Sequence, residues 1–233
     1  MSEPVVCAHA IMMPQNVAYE TERLIAEALY HRRPVYMAFP ADLANRPVLD
    51  DAGPILPPRS DPAALDAAVD AIEDALETAN TACILAGFLV GRIGLRSGLE
   101  RLIEVSGLPF GTMLMGKSVL DEQHPHYFGI YNGALMNEDV RAFVESRDMV
   151  LSIGAPWTDF NTGAFTARLD PAKTITIAHH RTSAHGKTYG NVEMADVLAA
   201  LSSRLKARNW PRIAARSILS LIHISEPTRL RRI

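Results

Sequence analysis

The chain has 233 residues, a hydrophobic content of 48% and a formal net charge of −3 at pH 7. This length allows one large domain, or one domain plus a piece of another, with a buried core. The small net charge argues against nucleic acid or a membrane surface as a partner attracted by bulk electrostatics.

The two cysteines, Cys7 and Cys83, lie far apart and form no C-x-x-C motif. Cys83 falls in an apolar run that predicts a core strand, where a free thiol behaves as a small hydrophobe. No basic-then-apolar leader opens the chain, and no apolar run approaches the ~18 residues that a membrane span requires. We therefore expect a reduced, cytoplasmic setting and no membrane partner.

The first 45 residues predict one helix and one strand. From Asn16 apolar residues fall mostly on one helical face, and the pattern stops before Pro34. Residues 35–39 then read as a strand that ends at Pro40. A strand delivered by a helix normally joins a parallel sheet, although its partner strands are not obvious from the sequence.

Residues 46–60 are rich in proline and read as an extended linker. Asp61 then caps a helix that has Pro62 at its first position. Short apolar runs that predict strands follow at residues 82–86, 110–114, 149–153 and 174–178. Because helical patterns alternate with these runs, we predict an α/β fold with a parallel sheet covered by helices on both faces.

Three connecting segments complete this pattern. Residues 124–133 read as a loop, followed by a helix from about Asn137. Residues 155–163 form a polar turn with bulky aromatic side chains at the carboxyl end of a strand, where open α/β sheets place ligands. The last helix is predicted at residues 195–207.

Residues 111–118 match the phosphate-loop pattern G-x-x-x-x-G-K-[ST] to the letter. A working phosphate loop needs a turn of backbone N–H groups followed at once by a helix whose N-terminus faces the phosphates. Here the four spacer residues are apolar and strand-like, and residues 119–125 offer no helix of useful length. We interpret the match as a coincidence.

A glycine-rich turn follows the first central strand, with Gly87, Gly91, Gly94 and Gly98. It resembles a dinucleotide-binding loop only loosely, since G-x-G-x-x-G is absent. The acidic residue that an NAD site needs after the next strand is also missing, because residues 115–117 are Met-Gly-Lys. A nucleotide-binding module for FAD, ADP or NAD stays the alternative interpretation.

The histidines His179, His180 and His185 suggest a metal cluster, but no Cys, Asp or Glu lies within the following turn to complete a tetrahedral set. Ser152 falls inside a predicted strand, and Ser118 lacks a G-x-S-x-G elbow. We therefore assign no catalytic residue and no metal ligand, and the cofactor-binding residues stay unknown.

Three stretches, residues 32–42, 116–133 and 151–163, together resemble the thiamine-diphosphate-dependent 2-oxo acid decarboxylases of the pyruvate and indolepyruvate decarboxylase group. The resemblance runs from about residue 3 to residue 205 and follows the same order along the chain. It implies that residues 1–45 are the end of a pyrimidine-binding domain, residues 46–60 a linker and residues 61–208 a Rossmann-like central domain.

The resemblance also implies where the chemistry lies. In this family the activating glutamate and the catalytic histidine pair belong to an earlier part of the pyrimidine domain, and the Gly-Asp-Gly motif for diphosphate and Mg²⁺ belongs to a third domain. No Gly-Asp-Gly occurs in this sequence. We expect a fragment in which the central domain has a structural or regulatory role and binds no cofactor itself.

For the full-length parent, the resemblance implies thiamine diphosphate and Mg²⁺ as cofactors, a 2-oxo acid as substrate, and a homodimer or homotetramer. After Arg208 the resemblance stops, and within the tail of residues 209–233, residues 220–230 resemble translated sequencing-adapter or vector sequence. We expect this tail to be non-native or disordered.

Overall fold

The computed structural model describes residues 5–213. The chain divides between Pro58 and Arg59 into two compact units. No helix within the described range is long and apolar enough to cross a membrane. Most of the predicted non-native tail, residues 214–233, lies outside the described residues.

The first unit is a small parallel β-α-β arrangement. Its strands β1 (Ala8–Ile11) and β2 (Val35–Ala38) pair in parallel and are joined by helix α1 (Val17–His31). The predicted helix and strand are confirmed, as is the parallel pairing. The partner strand β1 could not be recognised in the sequence, because four residues of modest hydrophobicity carry little periodic signal.

Part of the proline-rich segment packs within this first unit. The Asp50 carboxylate accepts hydrogen bonds from the backbone N–H groups of Ala18 and Tyr19 in the first turn of α1, at 3.1 and 2.9 Å. The Leu49 N–H donates to the Pro14 carbonyl at 2.7 Å. Asp50 thereby satisfies backbone donors that the helix leaves without intrahelical partners. These two residues of the predicted linker therefore belong structurally to the first unit.

The second unit contains seven strands and five α-helices within residues 59–213. In chain order they are α2 (Pro62–Thr78), β3 (Ala82–Ala86), α3 (Phe88–Arg92), α4 (Arg96–Ser106), β4 (Phe110–Met113), β5 (Tyr127–Tyr131), α5 (Glu138–Glu145), β6 (Met149–Ile153), β7 (Thr174–Ala178), β8 (Arg181–Ala184), β9 (Lys187–Gly190) and α6 (Met194–Arg204).

The strands form one sheet in the order β5-β4-β3-β6-β7-β8-β9. The first five strands in this order, β5, β4, β3, β6 and β7, pair in parallel. Strands β8 and β9 then follow at the β7 edge, and each pairs antiparallel with the strand before it. The predicted fold class, an α/β fold with a parallel sheet, is confirmed. The four predicted strands are all present, and the predicted last helix is α6, which ends at Arg204.

Two apolar layers cover the sheet. Side chains such as Ile84 and Leu151 point into one cluster with residues of α2, α4 and α6. Their neighbours Leu85 and Val150 point into a second cluster, which includes residues of α5. Because both faces are covered, every residue of β3 and β6 is buried. This is why these strands read in the sequence as continuous apolar runs.

The structure corrects the prediction of a loop at residues 124–133. Residues 127–131 form strand β5, which pairs in parallel with β4 through an irregular register. Phe128 and Tyr131 are buried, and the Phe128 ring lies 5.0 Å from that of Phe143 on α5. The strand was missed because Tyr-Phe-Gly-Ile-Tyr shows no alternation, and its burial depends on a helix formed later in the chain.

Two further strands follow the predicted strand at residues 174–178. The chain turns back after it to form β8 and β9, which are only four residues long. His185 and Gly186 make the two-residue turn between them, with φ angles of 49° and 77°. Two positive φ angles suit a tight hairpin, so the His-Gly pair between short alternating segments was the available signal.

Candidate functional site

The turns after β3 and β6 meet where the strand order changes direction, which is the usual ligand crevice of open α/β sheets. The Gly87 N–H donates to the Ile153 carbonyl at 2.8 Å, and the Leu89 N–H donates to the Gly154 carbonyl at 3.1 Å. A Cβ atom at Gly87 would lie 2.1 Å from the Gly154 oxygen. The space next to Gly87 is thus filled by protein main chain, and this glycine serves backbone packing.

The rest of the glycine-rich turn does not gather around one point. Gly91 lies in the short helix α3 and faces the Val119 side chain, whereas a Cβ atom at Gly94 would meet no atom within 4 Å. Gly94 has a φ of 78°, so it serves the turn between α3 and α4. Gly98 lies in α4, where its nearest neighbour is Leu198.

The segment that matches the phosphate loop does not have the geometry of one. Its first residues form β4, and Leu114–Gly116 form a single 3₁₀ turn. A Cβ atom at Gly111 would lie 2.2 Å from the Phe128 ring, and one at Gly116 would lie 2.8 Å from the Ala86 carbonyl oxygen. Among the described residues the next α-helix begins only at Glu138, so no helix N-terminus follows Lys117. This supports the interpretation of the match as a coincidence.

A cavity of about 510 Å³ lies on one face of strands β7, β8 and β9. On the other face Ile175 and Ile177 of β7 belong to the cluster that contains residues of α2 and α6. The connection from β6 to β7 runs over the cavity; we call its residues 155–170 the aromatic loop. The cavity is lined by residues of this loop and of the three strands: Trp157, Thr162, Phe165, Ala167, Leu169, Pro171, Thr174, Thr176, Ser183, His185, Gly186 and Thr188. The prediction of a ligand position at residues 155–163 thus falls on part of the lining.

The strands contribute hydroxyl groups to this cavity. Thr174 and Thr176 occupy alternate positions of β7, and Ser183 and Thr188 pair across β8 and β9 with their oxygens 3.0 Å apart. Trp157 and Phe165 supply aromatic surface. Among the described residues that line the cavity, His185 is the one ionisable side chain. The lining residues that the structure describes suit an uncharged ligand or another protein surface, and offer no carboxylate for Mg²⁺ and no lysine or arginine for a diphosphate.

A buried amide fixes the aromatic loop to the turn after β4. The Asn161 Nδ2 donates to the Pro156 carbonyl at 2.8 Å, and its Oδ1 accepts from the Met115 N–H at 3.0 Å. Asn161 is fully buried. Thr166 anchors the far side of the loop, because its Oγ1 accepts from the Ala134 N–H at 2.8 Å. The cavity is therefore framed by an ordered loop with satisfied polar groups.

The predicted histidine cluster is divided by the structure. His179 and His180 form the two-residue connection between β7 and β8, whereas His185 lines the cavity. Glu193 lies beside the first two, and its Oε2 is 2.7 Å from the His180 Nδ1. Glu193 could not be recognised as a neighbour from the sequence, because the intervening hairpin brings together residues 13 positions apart.

Neither Ser152 nor Cys83 is available as a nucleophile. Both lie fully buried within central strands. Burial raises the pKa of the Cys83 thiol to about 12, so the thiol stays protonated and unreactive at neutral pH. Together with Cys7 it is a free cysteine.

The family model and the individual relatives that match this chain describe related proteins. Residues 69–202, within the second unit, match the family model described as "Thiamine pyrophosphate enzyme, central domain". The chain is 34% identical over 211 residues to the alpha-keto-acid decarboxylase of Mycobacterium leprae, and 34% identical over 210 residues to that of Mycobacterium tuberculosis. The corresponding protein of Mycobacterium ulcerans is 33% identical over 211 residues. These matches cover 89% of this chain and 37% of each relative.

Proposed function

Since the chain belongs to the family of thiamine pyrophosphate enzyme central domains, we propose that it is part of a 2-oxo acid decarboxylase that depends on thiamine diphosphate. The full-length parent would release CO₂ from a 2-oxo acid and form an aldehyde. The second unit would be its structural central domain, without catalytic residues of its own. The family match over residues 69–202 carries this proposal.

Two features of the second unit support a structural role. The crevice at the change of strand direction is filled by the main chain of Gly87 and Gly154. The described lining of the cavity under the aromatic loop holds hydroxyl groups and aromatic rings but lacks the carboxylates, lysines and arginines that would hold Mg²⁺ and a diphosphate. Neither place fits the cofactor, so no step of the reaction is assigned to these residues.

The remaining parts of the proposal concern the parent. Residues 1–45 would be the end of its pyrimidine-binding domain, residues 46–60 a linker and residues 61–208 the central domain. The parent would bind thiamine diphosphate and Mg²⁺ through other domains, assemble as a homodimer or homotetramer, and act in the cytoplasm. The relatives' greater length supports the existence of such domains, because the chain spans only 37% of it.

An activity assay tests the proposal directly. The purified chain, incubated with thiamine diphosphate, Mg²⁺ and a panel of aromatic, branched and short 2-oxo acids, should form no aldehyde. The full-length protein, reconstructed from the flanking genomic sequence, should convert at least one of them. Aldehyde formation by the chain alone, or none by the full-length protein, would contradict the proposal.

The alternative is a free-standing nucleotide-binding module, which the mostly parallel sheet favours. Calorimetry with ATP, ADP, NAD and FAD separates the two. We expect no binding tighter than about 1 mM, which corresponds to roughly −4 kcal/mol. Micromolar binding that is lost in Lys117→Ala and kept in the control Lys173→Ala would favour the alternative.

A further inference from the structure

We propose that His179, His180 and Glu193 form a binding site for a zinc ion. These side chains lie outside the cavity under the aromatic loop, and the inference does not depend on the proposed function. One ligand atom from each side chain can be chosen so that all three lie within 4.8 Å of one another. Among the described residues this is the one group of three or more His, Cys, Asp and Glu side chains that meets this condition.

The backbone around the three residues is held by several elements. His179 and His180 are confined to a two-residue connection, because Ala178 and Arg181 pair at the ends of β7 and β8. The Met194 N–H donates to the His179 carbonyl at 3.0 Å, and the Val192 N–H donates to the His180 carbonyl at 3.3 Å. These two bonds hold the Glu193 backbone against the histidine turn.

A further bond fixes Glu193 from its other side. Its N–H donates to the Ser60 Oγ at 2.8 Å, and Ser60 in turn donates to the Asp196 carboxylate on α6. The three candidate ligands thus come from backbone that strands and hydrogen bonds have already ordered. Binding an ion requires side-chain rotation but no rearrangement of the chain, which favours affinity.

The distances are close to those of a zinc site. Bonds of ~2.0–2.1 Å in a tetrahedral site place neighbouring ligand atoms about 3.3 Å apart. The His180 Nδ1 and Glu193 Oε2 are already 2.7 Å apart. The His179 and His180 rings are stacked, with centroids 3.7 Å apart and planes at 26°. To bind one ion, the two rings would rotate so that a nitrogen of each faces the same point beside the carboxylate.

The ligand types select the metal. Two imidazole nitrogens and one carboxylate oxygen suit Zn²⁺ and related transition metals, whereas Mg²⁺ and Ca²⁺ prefer oxygen ligands. The His180 and Glu193 side chains are 24% and 15% exposed, so an ion can enter from solvent. Three protein ligands leave a fourth position for water. The bound ion would join the β7–β8 turn to the start of α6.

A zinc titration of the untagged, metal-free chain, in competition with a chromophoric chelator, tests this proposal. We expect one ion to bind with a dissociation constant of about 1 µM or lower. The variants His179→Gln and Glu193→Gln should each weaken binding by at least ~30-fold, because each removes a ligand. The control His185→Gln should bind zinc like the parent chain, since His185 lies on the next hairpin turn.

A second measurement guards against variants that fail to fold. Zinc should raise the thermal midpoint of the parent chain and of His185→Gln, because the ion binds only the folded arrangement. His179→Gln leaves the hydrogen bond between His180 and Glu193 in place, and a cooperative melting transition of this variant shows that it folds. Zinc should not shift its midpoint. Cobalt should give the visible absorption of a tetrahedral site in the parent and not in this variant.

Two results would overturn the proposal. One is zinc binding weaker than about 100 µM in the parent chain. The other is unchanged affinity in both ligand variants, which would place the ion elsewhere, for example beside His124 and Glu104, whose side chains lie 2.9 Å apart.

Discussion

The two units of the chain differ in how completely they bury their own apolar side chains. In the second unit every residue of β3, β4 and β6 is buried. Among residues 5–58, by contrast, Met12 and Leu24 are the buried hydrophobic residues. Tyr36 and Phe39, in and just after β2, are 47% and 62% exposed. One unit has a two-sided core, and the other has a sheet of two strands with uncovered apolar side chains.

The exposed side chains explain what the first unit lacks. Large hydrophobic residues exposed there are Val5, Ile11, Met13, Tyr19, Ile25, Leu29, Tyr36, Phe39, Val48, Leu49 and Leu56. Burying one such side chain contributes about 1.5–3 kcal/mol, so leaving three or four uncovered forfeits on the order of 5–10 kcal/mol. A domain's whole net stability is about 5–15 kcal/mol. We infer that the first unit needs further chain to complete its core.

The largest expected effect is a difference between the units when they are separated. Limited proteolysis should leave a product of roughly residues 57–213, identified by mass spectrometry. Its end lies beyond Arg208 because Trp210 is buried and its Nε1 donates to the Ser106 carbonyl at 3.1 Å. This product should melt cooperatively, whereas a peptide of residues 1–58 should show no transition.

This difference between the two units would be contradicted if the first unit resisted protease as well as the second does. It would also be contradicted if the trimmed product unfolded without a cooperative transition. Either result would mean that the boundary between Pro58 and Arg59 does not separate a complete core from an incomplete one.

A matched pair of leucines gives the next largest effect. Leu85 in β3 and Leu24 in α1 are both fully buried. Leu85→Ala should lower the free energy of unfolding of the main transition by about 2–5 kcal/mol. Leu24→Ala should leave that transition unchanged, because its core does not take part in it. Urea unfolding followed by far-UV circular dichroism measures both, and equal losses would show that the units unfold together.

Two glycines sharpen the comparison at the level of the backbone. A Cβ atom at Gly87 would lie 2.2 Å from the Ala155 Cα, and main chain cannot move aside cheaply. Gly87→Ala should therefore destabilise the second unit by at least about 2 kcal/mol. The control Gly53→Ala meets no atom within 4 Å and should change stability by less than about 0.5 kcal/mol. If Gly87→Ala left the stability of the second unit unchanged, the turns after β3 and β6 would have to pack loosely.

The smallest effect concerns acid sensitivity of the second unit. The Asp148 carboxylate accepts hydrogen bonds from the Asn80 N–H, the Thr81 N–H and the Thr81 hydroxyl, at 3.2, 2.9 and 2.9 Å. The Thr81 hydroxyl is the main reason that the pKa of Asp148 lies below its ordinary value of 3.8. Asp148 therefore contributes stability above pH 3.8 that is lost as the pH falls through its lower folded-state pKa.

Asp148→Asn removes this contribution. The free energy of unfolding of the variant should therefore fall less steeply as the pH is lowered, and should be slightly lower than that of the parent at neutral pH. Urea midpoints of the trimmed second unit, measured from pH 7 downward, check this. Lys173→Ala is a suitable second variant, because Lys173 makes a smaller contribution to the same pKa. If the stability of Asp148→Asn falls with decreasing pH as steeply as that of the parent, the acid sensitivity comes from other carboxylates.

The sequence by itself determined the central sheet and its covering helices. Strands β3 and β6 lie between two apolar layers, so all their residues are apolar or small, and such runs are visible without knowledge of the partners. The helix caps were equally local: Asp61 accepts from the Ala64 N–H, and Asn137 accepts from the Asp139 and Val140 N–H groups. Local signals suffice where three or four neighbouring residues complete the interaction.

Tertiary structure decided the features that depend on residues far apart in the chain. Strand β5 is recognisable only when β4 pairs with it and α5 covers it, and the β7–β9 hairpins join an edge that the sequence does not define. The role of Gly87 follows from contact with Gly154, and Glu193 reaches His180 only after the hairpins form. Residue type and spacing indicate interactions within one turn or one strand. The features named here depend instead on packing between residues far apart in the chain.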